Sequence, residues 1–296
     1  MNKQFCYFNG KTINYDEVVF SPHDRGFLFG DGIFETVRIY NRNPFRMEEH
    51  IDRLYTGAAV LGLVLPEQVV ISRAVDELIK LNDLNNGSLR ISVTGGDTHS
   101  ALWPRTFSAN PTILITVRET IPYKKELYEQ GYKAITISFP LNELSPLAGI
   151  KSLNYLENIL GRREATEANC HEGLFLNTKG ELAEGTISNL FIYDGNTLLT
   201  PPVNCGILPG ITRNSVIELA KSDLRLPVVE KTLYPKDLFK CKEAFLTASI
   251  MEIMPLVEVD GKIIGNGSPG EITLSLLSSY RTLASNTTLK QNNNMC

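Results

Sequence analysis

The chain is short of several things, and each shortage removes a class of function. Its 296 residues include five cysteines, Cys6, Cys170, Cys205, Cys241 and Cys296, scattered, odd in number and without a CxxC pair. That spacing argues against a disulfide framework or a structural zinc site, so no metal is expected, and it fits a reducing cytoplasm. Positive charge is not in surplus either. With 29 basic residues against 33 acidic ones the formal charge is -4, which leaves no electrostatic footprint for a nucleic-acid partner. No apolar stretch approaches the roughly 20 residues of a membrane span. The opening Met1-Asn2-Lys3-Gln4-Phe5 also lacks the apolar core of a signal peptide, so neither secretion nor membrane insertion is expected. There is no internal repeat. What remains is a chain longer than one typical domain, able to bury a substantial core.

The residue pattern that is present alternates between strand and helix periods. Asn9-Gly10 between strand-like runs is a two-residue hairpin signal, and Gly32 to Tyr40 returns to strand character. Ile51, Leu54, Tyr55, Ala58 and Leu61 recur at helical spacing, as do Val70, Ala74, Val75, Leu78 and Ile79 after Pro66. Leu89 to Thr94 and Thr112 to Val117 read as half-buried strands around a polar loop, Gly95 to Asn110, which holds Trp103. Such a loop is long for a compact domain and marks function or disorder. Residues 119–125 break the strand pattern and suggest a linker between a small α/β domain (1–118) and a larger one (126–286), with a polar tail from 287 to 296. The second domain mixes strands (Lys133 to Ser138, Gly173 to Asn177, Asn189 to Tyr193, Ala244 to Thr247), helices (Tyr155 to Ala168, Ile211 to Ala220, Gly270 to Leu283) and turns at Asp194-Gly195 and Asp260-Gly261. Without regular strand-helix alternation, the expected class is α+β.

Three segments could carry chemistry. Lys151 lies in Gly149-Ile150-Lys151-Ser152-Leu153-Asn154-Tyr155, the surroundings of an amine that could hold an aldehyde cofactor, and pyridoxal phosphate is the common one. By itself a lysine is more often a solvated surface residue. Glu184, before Gly185-Thr186-Ile187-Ser188-Asn189, suits an acid facing the ring nitrogen of such a cofactor, or an ordinary turn carboxylate. Pro209-Gly210-Ile211-Thr212 reads as a helix start whose amides could seat a phosphate, or as a plain turn. Arg53 could add a charge-assisted bond, and Thr247 and Ser249 could add hydroxyls.

Taken in order, six blocks resemble the class IV pyridoxal-phosphate aminotransferases, a fold-type IV family that includes branched-chain aminotransferases, D-amino-acid aminotransferases and aminodeoxychorismate lyases. They begin at Asp24, Glu49, Lys151, Glu184, Leu208 and Thr247 and span most of the chain. The resemblance implies that Lys151 anchors pyridoxal 5'-phosphate and shuttles the proton. It implies that Glu184 pairs with the ring nitrogen, and that Arg53, the amides of Ile211 and Thr212, and Ser249 hold the phosphate, with Thr247 a further candidate. It places Phe34, Thr36, Arg38, Tyr40, Arg90 and Ala248 toward the substrate. It also implies two domains with the cofactor between them, and a homodimer whose partner completes the pocket. The activity implied is transfer of an amino group from a branched-chain L-amino acid to a 2-oxo acid such as 2-oxoglutarate. Thr36, where branched-chain enzymes usually carry glycine, favours the alternative, a lyase releasing pyruvate and 4-aminobenzoate. Tyr155, closer to Lys151 than the equivalent Asn-Tyr pair in branched-chain enzymes, is a marginal contact to the ring.

Overall fold

In the computed structural model of the chain the described residues are 4–97 and 110–292, with side chains described as far as 286. The loop around Trp103 therefore falls mainly outside the described residues, whereas of the polar tail, which the sequence suggests is disordered, 287–292 continue the last helix and 293–296 lie outside. The chain divides into two compact units. One takes residues 1–121, 150–155 and the chain from Ala284, and the other takes 122–149 and 156–283. The sequence suggests contiguous domains split at 119–125. The units are not contiguous, because the Phe34 N–H donates to the Lys151 carbonyl and the Leu153 N–H to the Gly32 carbonyl, tying 150–155 to a strand of the first unit.

The first unit is built on β1 (Phe5–Phe8), β2 (Lys11–Asn14), β3 (Gly32–Tyr40), β4 (Asn43–Pro44), β5 (Gly87–Thr94) and β6 (Thr112–Glu119). Its described strands form one antiparallel sheet in the order β2-β1-β6-β5-β3-β4. The β1–β2 turn falls on Asn9-Gly10, with φ of 47° and 87°, the left-handed pair that a two-residue hairpin demands and that glycine supplies without strain. A short helix, α1 (Arg25–Phe29), precedes β3 and is capped by the Asp24 carboxylate, which accepts from the Gly26 N–H.

The helices α2 (Met47–Leu61) and α3 (Gln68–Leu81) cover the sheet, α2 on β3 and α3 on β1 and β6. Their apolar residues face inward as the period requires: Ile51, Leu54 and Ala58 on α2, and Ile71, Ala74, Val75, Leu78 and Ile79 on α3, join Val37, Ile39, Leu89, Ile91 and Ile115 in one buried cluster. Each large side chain so buried contributes about 1.5–3 kcal/mol.

The second unit contains α4 (Lys125–Gln130), β7 (Tyr132–Thr136), α5 (Leu156–Glu167), β8 (Glu172–Leu176), β9 (Leu182–Gly185), β10 (Asn189–Tyr193), β11 (Leu198–Thr200), α6 (Ile211–Ser222), β12 (Val228–Glu230), α7 (Pro235–Leu238), β13 (Glu243–Ala248), β14 (Glu252–Val259) and β15 (Lys262–Ile263). The last helix, α8 (Glu271–Asn292), begins in this unit. Its described strands run β12-β11-β10-β13-β14-β7-β8-β9, with β15 on β14. Because β9 also pairs β10, six of them close a ring of pairings. β14 is not among the strands read from the sequence, and it carries Pro255, a residue that argues against a central strand. Pro255 is tolerated because it lies opposite Phe245 one residue before the ladder to β7 begins at Leu256.

Candidate active site

Strand β3 turns alternate residues to opposite faces, and the two faces do different work. Ile33, Glu35, Val37 and Ile39 share the core face. A carboxylate among three aliphatic side chains must be paired, and Glu35 is: it is fully buried, and Arg53 grips it with Nε to Oε1 at 2.7 Å and Nη2 to Oε2 at 2.8 Å. His50 Nδ1 sits 2.8 Å from the same Oε2. His50 and Arg53 are three apart on α2, so both reach one point on β3. Burial alone would raise the Glu35 pKa, but the Arg53 charge and the hydrogen bonds from His50 and Arg53 outweigh it and bring it to about 2. His50 is pushed down by burial first, and the charges of Arg53 and Lys151 add to that, against the pull of Glu35. The histidine is therefore neutral, with Nδ1 donating to the carboxylate. Arg53, expected to grip a phosphate, thus has its guanidinium plane fixed by Glu35.

The opposite face of β3 carries Phe34, Thr36, Arg38 and Tyr40. Antiparallel pairing sets Thr36 opposite Arg90 and Arg38 opposite Ser88, and on to β6 it sets Arg90 opposite Thr116 and Ser88 opposite Arg118. Arginines 38, 90 and 118 thus share one sheet face. Arg38 is buried, its Nε and Nη1 have no hydrogen-bond partner among the described residues, and its guanidinium lies 5.2 Å from the Tyr40 ring.

Lys151 is on no helix. It belongs to an extended stretch bridged to β3 at Ile33 and Ser152, and α5 starts only at Leu156. The half-buried lysine places Nζ 4.5 Å from the centre of the Phe34 ring and 5.7 Å from that of Tyr155. Phe34 and Tyr155 meet edge to face at 5.3 Å, and the Arg90 guanidinium lies 3.9 Å from the Phe34 ring. Lys151, Phe34, Tyr155 and Arg90, all candidates named from the resemblance, are therefore brought together.

In the second unit the other expected residues converge through β9, β10 and β13. Glu184 pairs across the sheet with Asn189, and Asn189 with Thr247, so the three stand in a row. The half-buried Glu184 is held through Oε2, which accepts from Asn189 Nδ2 and from the Leu208 N–H, both at 3.0 Å. Asn189 Nδ2 also donates to the Leu208 carbonyl at 2.9 Å, locking the approach to α6. Gly210 caps that helix, and a Cβ there would collide with Asn189 Oδ1, so only glycine lets the chain pass. The first amides of α6, including those of the buried Ile211 and Thr212, have no intrahelical partner, and the N-cap residue Gly210 has no side chain with which to cap them. The Thr247 hydroxyl is buried without a hydrogen-bond partner among the described residues, while Ala248 ends β13 and Ser249 lies in the turn after it.

An orphaned buried hydroxyl, an uncapped helix start and a carboxylate held by two donors are the parts that a phosphate and a protonated ring nitrogen require. The residues present fit the cofactor. Sequence reasoning missed Glu35, His50 and Asn189 as supports. The signal for the first two was there: a glutamate in the apolar register of β3, and a histidine and an arginine three apart on the helix above. Asn189 carried no such signal, because its role depends on a cross-strand pairing.

The family model for amino-transferase class IV matches residues 32–259. The chain is 39% identical over 283 residues to a putative branched-chain-amino-acid aminotransferase of Methanocaldococcus jannaschii, covering 94% of this chain and 95% of that one. It is 34% identical to a D-alanine aminotransferase of Bacillus licheniformis over 93% of this chain and 95% of the relative, and 34% identical to an aminodeoxychorismate lyase of Bacillus subtilis over 93% of each. The crystal structure of the Escherichia coli branched-chain aminotransferase matches with a TM-score of 0.89, at 27% identity and 95% coverage of both chains.

Proposed function

The chain belongs to the class IV aminotransferases, and from that premise we propose that it transfers the amino group of a branched-chain L-amino acid to a 2-oxo acid such as 2-oxoglutarate, using pyridoxal 5'-phosphate. The observation that carries this reading is the Lys151 amine beside the Phe34 and Tyr155 rings, on a strand face that also bears arginines. The aromatic pair offers an apolar wall for an aliphatic side chain. The under-partnered Arg38, and Arg90, offer charge for a substrate carboxylate, with Thr36 beside them. The relatives named above as branched-chain aminotransferases support the same substrate class.

When bound, the cofactor supplies an electron sink for the charge left on the substrate carbon. The chain's own residues do the rest. Lys151 would hold the cofactor through Nζ, and the same Nζ would be the base that takes the proton from the substrate Cα and the acid that delivers it to the cofactor's C4'. Glu184, kept in place by Asn189 and Leu208, holds the ring-nitrogen proton. The amides of Ile211 and Thr212, with Thr247, Ser249 and Arg53, hold the phosphate. Tyr155 lines the lysine and is a marginal contact to the ring, and Ala248 borders the substrate.

No helix among the described residues is long and apolar enough to cross a membrane, and no cluster there could hold a metal ion. The exposed Val19, Phe20, Phe27, Leu28 and Phe29 of the first unit support a homodimer, in which the partner subunit would complete the pocket. The free thiols of Cys6, Cys170, Cys205 and Cys241 suit a reducing compartment, and the proposed setting is the cytoplasm.

One residue favours a second reading: Thr36, with the Bacillus subtilis relative, points to a lyase that releases pyruvate from aminodeoxychorismate. The test is a screen of L-leucine, L-isoleucine, L-valine and D-alanine, with and without 2-oxoglutarate, beside pyruvate release from aminodeoxychorismate. Glutamate formed from the L-amino acids only when the oxo acid is present supports the transaminase. Pyruvate released with no acceptor present would replace it with the lyase, and a preference for D-alanine would reverse the assigned chirality.

A further inference from the structure

Glu172, the first residue of β8, is a fully buried carboxylate that the transfer chemistry does not use. Oε1 accepts from the Gly173 N–H at 3.0 Å, the Thr186 N–H at 3.2 Å, the Thr186 hydroxyl and Arg162 Nη1 at 3.2 Å. Oε2 accepts from Ser188 Oγ at 3.0 Å. Three of these five donors belong to the turn of residues 185–188 that joins β9 to β10. The turn's Ile187 is exposed, and its other ties include the pairing of Gly185 with Leu174, the Gly185 N–H to the Ser188 carbonyl at 2.6 Å, the Thr186 N–H to the Gly173 carbonyl at 3.0 Å and Asn158 Nδ2 to the Thr186 carbonyl at 2.8 Å. A Cβ at Gly185 would collide with Ser188 Oγ, so the backbone closes tightly around the carboxylate.

Glu184 precedes this turn and Asn189 follows it, and the two are joined by the 3.0 Å contact that orients Glu184. We propose that Glu172 is a positioning residue for Glu184: by gathering the Thr186 and Ser188 donors it fixes the turn, and the turn fixes the Glu184–Asn189 pair. This rests on the reading of Glu184 as the partner of the ring nitrogen. A carboxylate displaced by even a fraction of an ångström holds that proton less well, and a misplacement of about 1 Å can cost up to roughly a hundredfold in rate. Arg162 does not explain the arrangement alone, because it is 40% exposed and supplies only one of the five donors.

The test compares the parent holoenzyme with Glu172→Gln, Ser188→Ala and Glu184→Gln. Glu172→Gln and Ser188→Ala should lower kcat by roughly tenfold with KM for the amino donor within about twofold. Both should also move the pH dependence of the bound cofactor's visible absorbance in the direction that Glu184→Gln moves it. A merely structural carboxylate would lower the melting temperature and leave that titration where it was. A crystal structure of Glu172→Gln reads the positioning whatever Glu184 does. The Glu184 carboxylate should have left its contacts with Asn189 Nδ2 and the Leu208 N–H, and both contacts intact would overturn the proposal. If Glu184→Gln alone keeps the parent's rate and spectrum, the role given to Glu184 is lost, and the crystal structure still decides whether Glu172 places it.

Discussion

Replacing Glu35 with glutamine removes one negative charge from a site where two α2 side chains depend on it. In the parent, the carboxyl pKa falls from an ordinary 4.5 to about 2. At about 1.4 kcal/mol for each pH unit, that depression contributes on the order of 3 kcal/mol to stability at neutral pH. An independent route gives the same size: deleting one partner of a buried ion pair costs about 3–5 kcal/mol, toward the lower figure here because Arg53 keeps some exposure. The sign follows from the lowered folded-state value. The contribution is complete above pH 4.5 and is lost as pH falls through about 2. At pH 3 roughly 1 kcal/mol of it should remain. Urea denaturation at pH 7 and pH 3 of the apo His50→Gln protein with and without Glu35→Gln measures this, because Glu35 also raises the His50 pKa and the histidine would otherwise titrate differently in the two proteins. The stability gap should be about 3 kcal/mol at pH 7 and about 1 kcal/mol at pH 3. A gap below about 1 kcal/mol at pH 7, or one that does not narrow on acidification, would refute the reasoning.

The Thr247 hydroxyl is buried without a hydrogen-bond partner among the described residues, so Thr247→Val should leave the apo protein as stable or up to about 1 kcal/mol more so, while weakening cofactor binding by roughly five- to tenfold. Calorimetry of the apo protein and cofactor titration give the two numbers, and unchanged affinity would remove Thr247 from the phosphate seat. Gly210→Ala should cost about 1–3 kcal/mol through the collision with Asn189 Oδ1, and a melting temperature equal to the parent's would contradict the packing described. Arg38→Met should raise KM for the 2-oxo acid by about tenfold or more with kcat nearly unchanged, the loss expected of one charge-assisted bond. Steady-state kinetics with that acid varied would show it, and a parent-like KM would assign the substrate carboxylate elsewhere.

Where structure rests on local periodicity, the sequence was readable. The Asn9-Gly10 hairpin, β3 and the apolar stripes of α2 and α3 stand where alternation and helical spacing place them, except that at the start of α3 the buried residue is Ile71 and Val70 is exposed. β14 is not read from the sequence, and its Pro255 is tolerated only because of where a neighbouring ladder starts, which is tertiary information. The candidate site divides in the same way. Lys151, Glu184 and the helix start after Gly210 announce themselves by residue type and neighbours. Their supports do not: Glu35 meets His50 and Arg53 across 15 and 18 residues, Asn189 reaches Glu184 through a hairpin, and Glu172 reaches Thr186 and Ser188 from another strand. The stretch that carries Lys151 is bridged alongside β3 through Ser152 and Ile33, a pairing between residues more than a hundred positions apart. A buried charged residue in an apolar register is the one sequence sign that such a partner exists, and Glu35 carries it.

The most direct trial of the whole reading is to load the protein with pyridoxal 5'-phosphate, reduce it with borohydride and map the labelled peptide. The label should sit on Lys151 alone, and Lys151→Ala should take up none and show no turnover. A label on any other lysine, or steady-state activity surviving in Lys151→Ala, would contradict the account.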